Sequence, residues 1–205
     1  MNLMYTPELA NVYREWGRYD KAEPLFDKTL KALREIKGDE HFLTSLCMYG
    51  LVRLYVDQDR YEEAEKLFSE ALPIARRRLR EDHPVTLQLV NTFALLRTKQ
   101  KQYNEAEGLF DEALKGRQRE LGDDHPHTLE SKNDLAVLYK EQARYEEAEP
   151  LLIQAFEGRR LKLGDQHPHT IESLNNLIEL YEAWDKPEKA EQWRAKPPQT
   201  EALKE

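Results

Sequence analysis

"LGDDHPHTLES" at 121–131 and "LGDQHPHTIES" at 163–173 are one pattern that recurs after 42 residues. When the whole chain is shifted by 42 residues, other positions also align with themselves. The aligned residues are His41, His83, His125 and His167, then Thr44, Thr86, Thr128 and Thr170, and also Tyr19, Tyr61, Tyr103 and Tyr145. Self-similarity at a fixed period is the signature of a repeat protein, in which each repeat is one supersecondary unit.

Each repeat contains two segments with the apolar spacing of a helix. The first is clearest at 135–139, "LAVLY", and a short break, "EQAR" at 141–144, separates it from the second, which opens with "YEEAE" at 145–149. Ala136 and Ala148 are small, as is needed where two helix backbones approach closely. Because one helix pair cannot bury its apolar face alone, the sequence predicts an all-α solenoid of stacked antiparallel helix pairs.

The pattern Leu-Ala-x-x-Tyr at 135–139 followed by Ala-x-x-x-Leu at 148–152 resembles the tetratricopeptide repeat, and 9–13 with 22–26 and 51–55 with 64–68 show close variants of it. The period is 42 residues here, longer than the usual 34 of that family. This long form, with "LGxxHPxT" between units, is similar to the repeats of kinesin light chains and of bacterial multi-domain proteins. The resemblance implies a right-handed α-α superhelix over roughly residues 6–196.

The boundaries of the repeat predict a single array over residues 1–198, with units at about 6–38, 39–80, 81–122, 123–164 and 165–196. Residues 199–205 are expected to form a disordered tail. Thr6 is expected to cap the first helix, with Pro7 in its first turn. At the other end, Trp184 and Trp193 are expected to cover the last core. The first helix pair has nothing obvious to cover its outer face, so end-to-end self-association through the N-terminal face is also a hypothesis.

The His-Pro segments have two interpretations. Pro126 and Pro168 suit the first position of a helix, His125 or Asp124 would lie at the cap, and Gly122 and Gly164 would end the preceding helix in a left-handed conformation. Alternatively, His125 with His127 and His167 with His169 could bind zinc, which needs three or four ligands around one ion. We favour helix starts, and therefore expect no metal, because His41 and His83 have no second histidine two residues on.

Basic residues recur at the end of every second helix, among them "ARRRLRE" at 75–81, Arg117 and Arg159. Positive charge there complements the helix dipole, which favours an interpretation as solvated helix ends over a phosphate site. Pro73 lies inside a second helix, where it should bend the helix.

Composition narrows the classes of function. The net charge of −8 argues against a nucleic-acid partner, and no apolar run is long enough for a membrane span. A lone Cys47 in an apolar helix fits a buried thiol in the reducing cytoplasm. The sequence contains no glycine-rich phosphate loop and no nucleophile motif, so we expect neither an enzyme nor a cofactor.

In tetratricopeptide arrays the first helices line a concave groove that holds a peptide. The resemblance places at that groove Asn11, Tyr49, Arg53, Asn91, Leu95, Asn133, Val137, Lys140, Asn175 and Glu179. Three successive asparagines form a ladder of amide groups that can pair with a peptide backbone, while Arg53 and Lys140 would favour acidic side chains. Alternatively, the asparagines hydrogen-bond neighbouring helices within the array.

The sequence therefore predicts a scaffold that binds a peptide segment of a partner protein. The alternatives are a structural spacer or self-assembling array, and a regulatory module of a larger signalling protein.

Overall fold

A computed structural model describes residues 5–196, and over that range the chain forms ten helices and no strand. The helices are α1 (Thr6–Glu15), α2 (Tyr19–Lys37), α3 (Phe42–Asp57), α4 (Tyr61–Leu79), α5 (Pro84–Lys99), α6 (Tyr103–Leu121), α7 (Pro126–Glu141), α8 (Tyr145–Leu163), α9 (Pro168–Ala183) and α10 (Pro187–Arg194). Odd-numbered helices are the first helices of the repeats and even-numbered ones the second helices. This arrangement confirms the all-α class predicted from the 42-residue register.

The His-Pro segments start the first helices. The Nδ1 atoms of the cap histidines accept the backbone N–H two residues on, at 3.2 Å in each case; the cap histidines are His41, His83, His125 and His167. Pro84, Pro126 and Pro168 occupy the first helical position, where a missing N–H costs nothing. In three repeats the threonine three residues after the cap donates to the carbonyl that ends the preceding repeat, as Thr128 does to Gly122 O at 2.8 Å.

The glycines between repeats do not adopt the left-handed conformation that the sequence suggested. Gly164 has φ 88° and ψ 164°, so the prediction is right about positive φ and wrong about ψ. Gly38 has nearly the same angles. The extended ψ turns the chain directly into the next cap histidine. Positive φ near 60° occurs instead in the turn within each helix pair, for example at Gly17 and Ala143.

The first compact unit extends up to Gly116 and the second begins at Arg117, so the division falls within α6. In the first unit, α1 to α5 pack around a continuous apolar core that includes Phe26, Leu51, Leu54 and Leu96. Gly50 lies against the ring of Phe26, because a Cβ at this position would be 2.5 Å from its Cε1 atom. This close approach brings α2 and α3 together.

In the second unit, α7 packs against α8, α8 against α9, and α9 against α10. The buried apolar residues of this unit include Leu138, Leu152 and Leu177. Trp184 packs beside Tyr145 at 5.7 Å between ring centroids, and Trp193 packs edge-on against Phe156 at 5.4 Å. Both tryptophans therefore cover aromatic residues of the last helix pairs, in agreement with the sequence.

Several predictions from the sequence need correction or restriction. The cap of α1 is Tyr5, while Thr6 is the first helical residue, because the helix begins one residue earlier than the Thr-Pro signal suggests. Pro73 lies inside α4, which extends to Leu79, and the bend expected there stays a prediction. The disordered tail predicted at 199–205 lies outside the described residues, and the single array over 1–198 stays a prediction.

None of the helices within residues 5–196 combines the length and the apolar character needed to cross a membrane.

Candidate peptide-binding surface

The sequence-predicted groove residues lie on the first helices of each unit, and within each unit we call the face that carries them the first-helix surface. In the first unit it comprises Asn11, Tyr49, Arg53, Asn91 and Leu95. Asn91 is buried, at 1% exposure, whereas the other four are half-buried. Exposure to solvent therefore differs along the surface although the positions are equivalent or adjacent in the repeat.

Arg53 is positioned by its own helix. Its Nη1 atom donates to the hydroxyl of Tyr49 at 3.4 Å, one helical turn earlier. On the neighbouring first helix, Arg14 donates to Asn11 Oδ1 at 3.5 Å and to Asp57 Oδ2 at 2.5 Å. Arg14 is thus neutralised within the fold by Asp57.

In the second unit, Asn133 is part of an internal network. Its Oδ1 atom accepts hydrogen bonds from Ser173 Oγ and from Asn176 Nδ2, both at 3.1 Å. The residue is 1% exposed. These contacts join α7 to α9 and correspond to the alternative in which an asparagine serves the array itself. Asn175, at the equivalent position on α9, is exposed.

Lys140 and Glu179, both predicted to lie in the groove, bind each other. Lys140 Nζ donates to Glu179 Oε2 at 2.6 Å, across α7 and α9. Val137 is half-buried beside them. Because the charge of Lys140 is already paired, its preference for an acidic ligand is weaker than the sequence suggested.

Sequence reasoning assigned Arg117 and Arg159 to solvated helix ends, and this is wrong. They are 2% and 3% exposed. Arg159 Nη1 donates to the His169 carbonyl at 2.9 Å and to Ser173 Oγ at 2.7 Å. Arg117 makes the same pair of bonds one repeat earlier. The dipole argument considered one helix alone, whereas burial comes from the first turn of the helix that follows.

A signal for this contact was present in the sequence. Arginine at 117 and 159 coincides with serine at 131 and 173, whereas the earlier repeats have Leu33 with Cys47 and Ala75 with Leu89. The paired change from apolar residues to arginine and serine marks an internal polar contact. A network therefore runs from Arg159 through Ser173 to Asn133.

The histidine pairs have structural roles. In each pair the first histidine caps its helix through Nδ1, and the second contacts a glutamate three residues on, as in His169 with Glu172 at 3.3 Å. This hydrogen bond raises the pKa of His169. Burial lowers the pKa of His125, and the neighbouring His127 and Arg117 add to that effect. Within residues 5–196, no group of three or more His, Cys, Asp or Glu side chains is arranged to hold a metal.

Cys47 is buried and its Sγ atom lies 3.6 Å from the Phe26 carbonyl, in agreement with the predicted buried thiol. Burial raises its pKa to about 12, which disfavours the reactive thiolate.

A glutamate near the start of each of three second helices is bound by the helix pair that follows. Glu23 of α2 accepts from Arg60 at 2.7 Å, and Glu65 of α4 accepts from Arg97. Glu149 of α8 accepts from Tyr181 at 2.6 Å and from Lys189 at 2.8 Å. Each glutamate lies three residues before a buried Phe or Leu. We call the hydrogen bond between this glutamate and the following helix pair the glutamate contact.

Repeated helix pairs with capped starts and internal polar contacts define a helix-pair repeat protein. The chain belongs to the tetratricopeptide repeat family, whose pattern matches residues 1–77, 84–160 and 141–193. That family consists in general of non-enzymatic scaffolds that mediate protein–protein interactions.

Solved structures of kinesin light chain-like proteins are similar to the chain. One is the Podospora anserina kinesin light chain-type protein with nearly identical TPR-like repeats; it is 25% identical, with a TM-score of 0.70 over 94% of this chain and 91% of that one. BtubC (BKLC) from P. vanneervenii is 24% identical, with a TM-score of 0.72 over 95% of this chain and 83% of that one, and supports the fold alone. No curated protein gave a significant match.

Proposed function

We propose that the first-helix surface binds a peptide segment of a partner protein. The observation that carries this proposal is in the first unit, where Arg53 donates to Tyr49 and the residues at the equivalent position of the flanking repeats, Asn11 and Leu95, are half-buried. An apolar contact, an amide and an oriented guanidinium are the groups that anchor a peptide through its side chains and its backbone. Arg53 gives this surface a preference for a ligand with an acidic residue.

In the second unit, Asn175 is the residue best placed to bind a ligand, since Asn133 already accepts two internal hydrogen bonds. Lys140 would have to release Glu179 before it could pair with a ligand carboxylate. The two units therefore differ in what they offer, and the first should contribute more of the affinity for acidic peptides.

Selection from a random peptide library on the full chain, followed by affinity measurements, tests this proposal. Arg53→Glu should weaken the selected acidic peptides about tenfold or more and remove much of their salt dependence. Lys115→Glu makes the same change of charge on the exposed side of α6 and should have little effect. The melting temperature of each variant shows whether it is folded.

Two single variants separate binding from structural roles in the second unit. Asn175→Ala should reduce affinity by a few-fold without changing stability, because one neutral hydrogen bond contributes about 0.5–1.5 kcal/mol. Asn133→Ala should lower stability, because it breaks the network with Ser173. If the selected peptides bind the Arg53 and Asn175 variants as tightly as they bind the unaltered chain, the proposed surface is contradicted.

A further inference from the structure

The outer side of α1 carries a row of exposed apolar residues. Tyr5, Leu9, Val12 and Trp16 are 58%, 47%, 38% and 71% exposed. Their spacing of four, three and four residues places them on one face of the helix, and we call them the N-terminal stripe. A contiguous exposed apolar row of large side chains is uncommon on a protein surface and marks an interaction site.

The equivalents of three of the four stripe residues are buried in later repeats. Leu9 corresponds to Leu51, Phe93 and Leu177, which are 1%, 8% and 0% exposed, and Val12 corresponds to Leu54, Leu96 and Leu180, which are all 0% exposed. Tyr5 corresponds to Cys47, Leu89 and Ser173, which are fully buried as well. Tyr5, Leu9 and Val12 therefore occupy positions that other helices cover in later repeats, whereas the equivalents of Trp16, such as Gln58 and Trp184, are half-buried.

The internal interfaces show what covers these positions. In the first unit, α2 lies on α3 with the Phe26 ring against Gly50, and α4 lies on α5 with Phe68 stacked on Phe93 at 3.7 Å between ring centroids. In the second unit, α8 lies on α9. In every case the covering element is a second helix. From its fourth residue onward this helix has the motif Ala-Glu-x-Leu-Phe or, in α8, Ala-Glu-x-Leu-Leu.

The polar side of the same interface is also present beside the stripe. Tyr13 corresponds to Arg97 and Tyr181, which bind the glutamate of the covering helix. Arg18 corresponds to Arg60, which binds Glu23 at 2.7 Å. Arg18 is half exposed and lies 3.5 Å from Asp20, so its guanidinium can reach an incoming carboxylate at small cost.

We propose that the N-terminal stripe docks an amphipathic helix of a partner that carries Ala-Glu-x-Leu-Phe. Its phenylalanine packs on Leu9 as Phe68 packs on Phe93. Its glutamate binds Tyr13 and Arg18, as Glu149 binds Tyr181 and Glu23 binds Arg60. The α10 helix of a second copy does not fit, because it has the charged Arg194 where the covering helices have Phe26, Phe68 or Leu152. This surface is separate from the one under the proposed function.

The full chain is titrated with a helix-stabilised peptide of residues 61–79, which contains the motif with Glu65 and Phe68. The indole N–H resonance of Trp16 reports on the stripe by NMR, and those of Trp184 and Trp193 serve as references. Binding should shift the Trp16 resonance. Leu9→Glu in the protein, or Phe68→Ala in the peptide, should each weaken binding at least tenfold.

A charge exchange tests the register of the contact. Arg18→Glu should weaken the native peptide several-fold, and a peptide with Glu65→Arg should recover binding to that variant. Arg53→Glu should leave binding of the helical peptide to the N-terminal stripe unchanged. This control distinguishes a failure of docking at the stripe from a failure of peptide binding at the first-helix surface. The proposal is overturned if the helical peptide does not shift Trp16, if the exchange fails to restore affinity, or if sedimentation shows a dimer that Leu9→Glu abolishes.

Discussion

Arg80 is expected to be a source of strain that glycine would relieve. It has φ 81° and ψ 164°, a conformation that is essentially restricted to glycine, and it takes the place of Gly38, Gly122 and Gly164 in the other repeats. Its carbonyl accepts from Thr86 Oγ1 at 2.9 Å, and this bond does not depend on the side chain. Arg80→Gly should therefore stabilise the protein.

The magnitude follows from three contributions. A non-glycine residue in this region costs about 1–3 kcal/mol. Against this, glycine makes the unfolded chain more flexible, which costs about 0.4–1 kcal/mol. The substitution also removes an exposed ion pair with Asp82, which contributes at most about 0.5 kcal/mol. The net gain is about 1 kcal/mol, or roughly 2–4 °C in melting temperature for a chain of this length.

Urea unfolding of Arg80→Gly, with Gly38→Arg as the matched reverse change, measures the effect. Gly38 has φ 85° and ψ 166°, and a Cβ there would meet nothing within 4 Å, so the reverse change tests the backbone without a clash. It should destabilise by about 1–2 kcal/mol. If both variants have the stability of the unaltered chain, the backbone-strain argument is refuted.

Three further outcomes are expected from unfolding experiments. Burial and the nearby Arg80 lower the pKa of His83 in the folded protein, so this cap stabilises the fold fully above the pKa of an unfolded histidine, about 6.5, and less as the pH drops below it. His83→Asn should therefore reduce the difference in unfolding free energy between pH 7.5 and 5.5. An unchanged difference would rule this out. Gly50→Ala should cost about 1–3 kcal/mol, because its Cβ meets the Phe26 ring, whereas Gly108→Ala, in open space on α6, should gain about 0.5–1 kcal/mol; equal effects would contradict the packing. Arg159→Ala should lower stability by about 2 kcal/mol or more, which denaturant midpoints measure, and a neutral result would show that the buried contact contributes nothing.

The fold could be predicted from the sequence because its determinants are local and repeated. Pro126 fixes a helix start and the neighbouring His125 caps it, and both recur at the 42-residue interval. The conformation of Gly164 was predicted only in part, since a glycine indicates positive φ but ψ is set by the direction of the following helix.

The roles of residues on the candidate surface could be predicted less well from the sequence. Register places Asn133 and Asn175 at equivalent positions, but it does not reveal that Ser173 and Asn176 reach the first of them while the second is exposed. The burial of Arg159 was missed for the same reason. A helix-by-helix analysis gives the period and the face, whereas hydrogen bonds between helices depend on pairs of positions in different repeats.

The glutamate contact bears on how such a chain can change in length over evolution. A tandem duplication of 42 codons would copy Glu23 together with the residues that follow it through Arg60, so each new junction would carry the same pair. Donor and acceptor are inherited as one block because they lie 37 positions apart, inside a single repeat length. A duplication whose length is not a multiple of 42 codons would change this spacing at the new junction, and selection against such products would preserve the period.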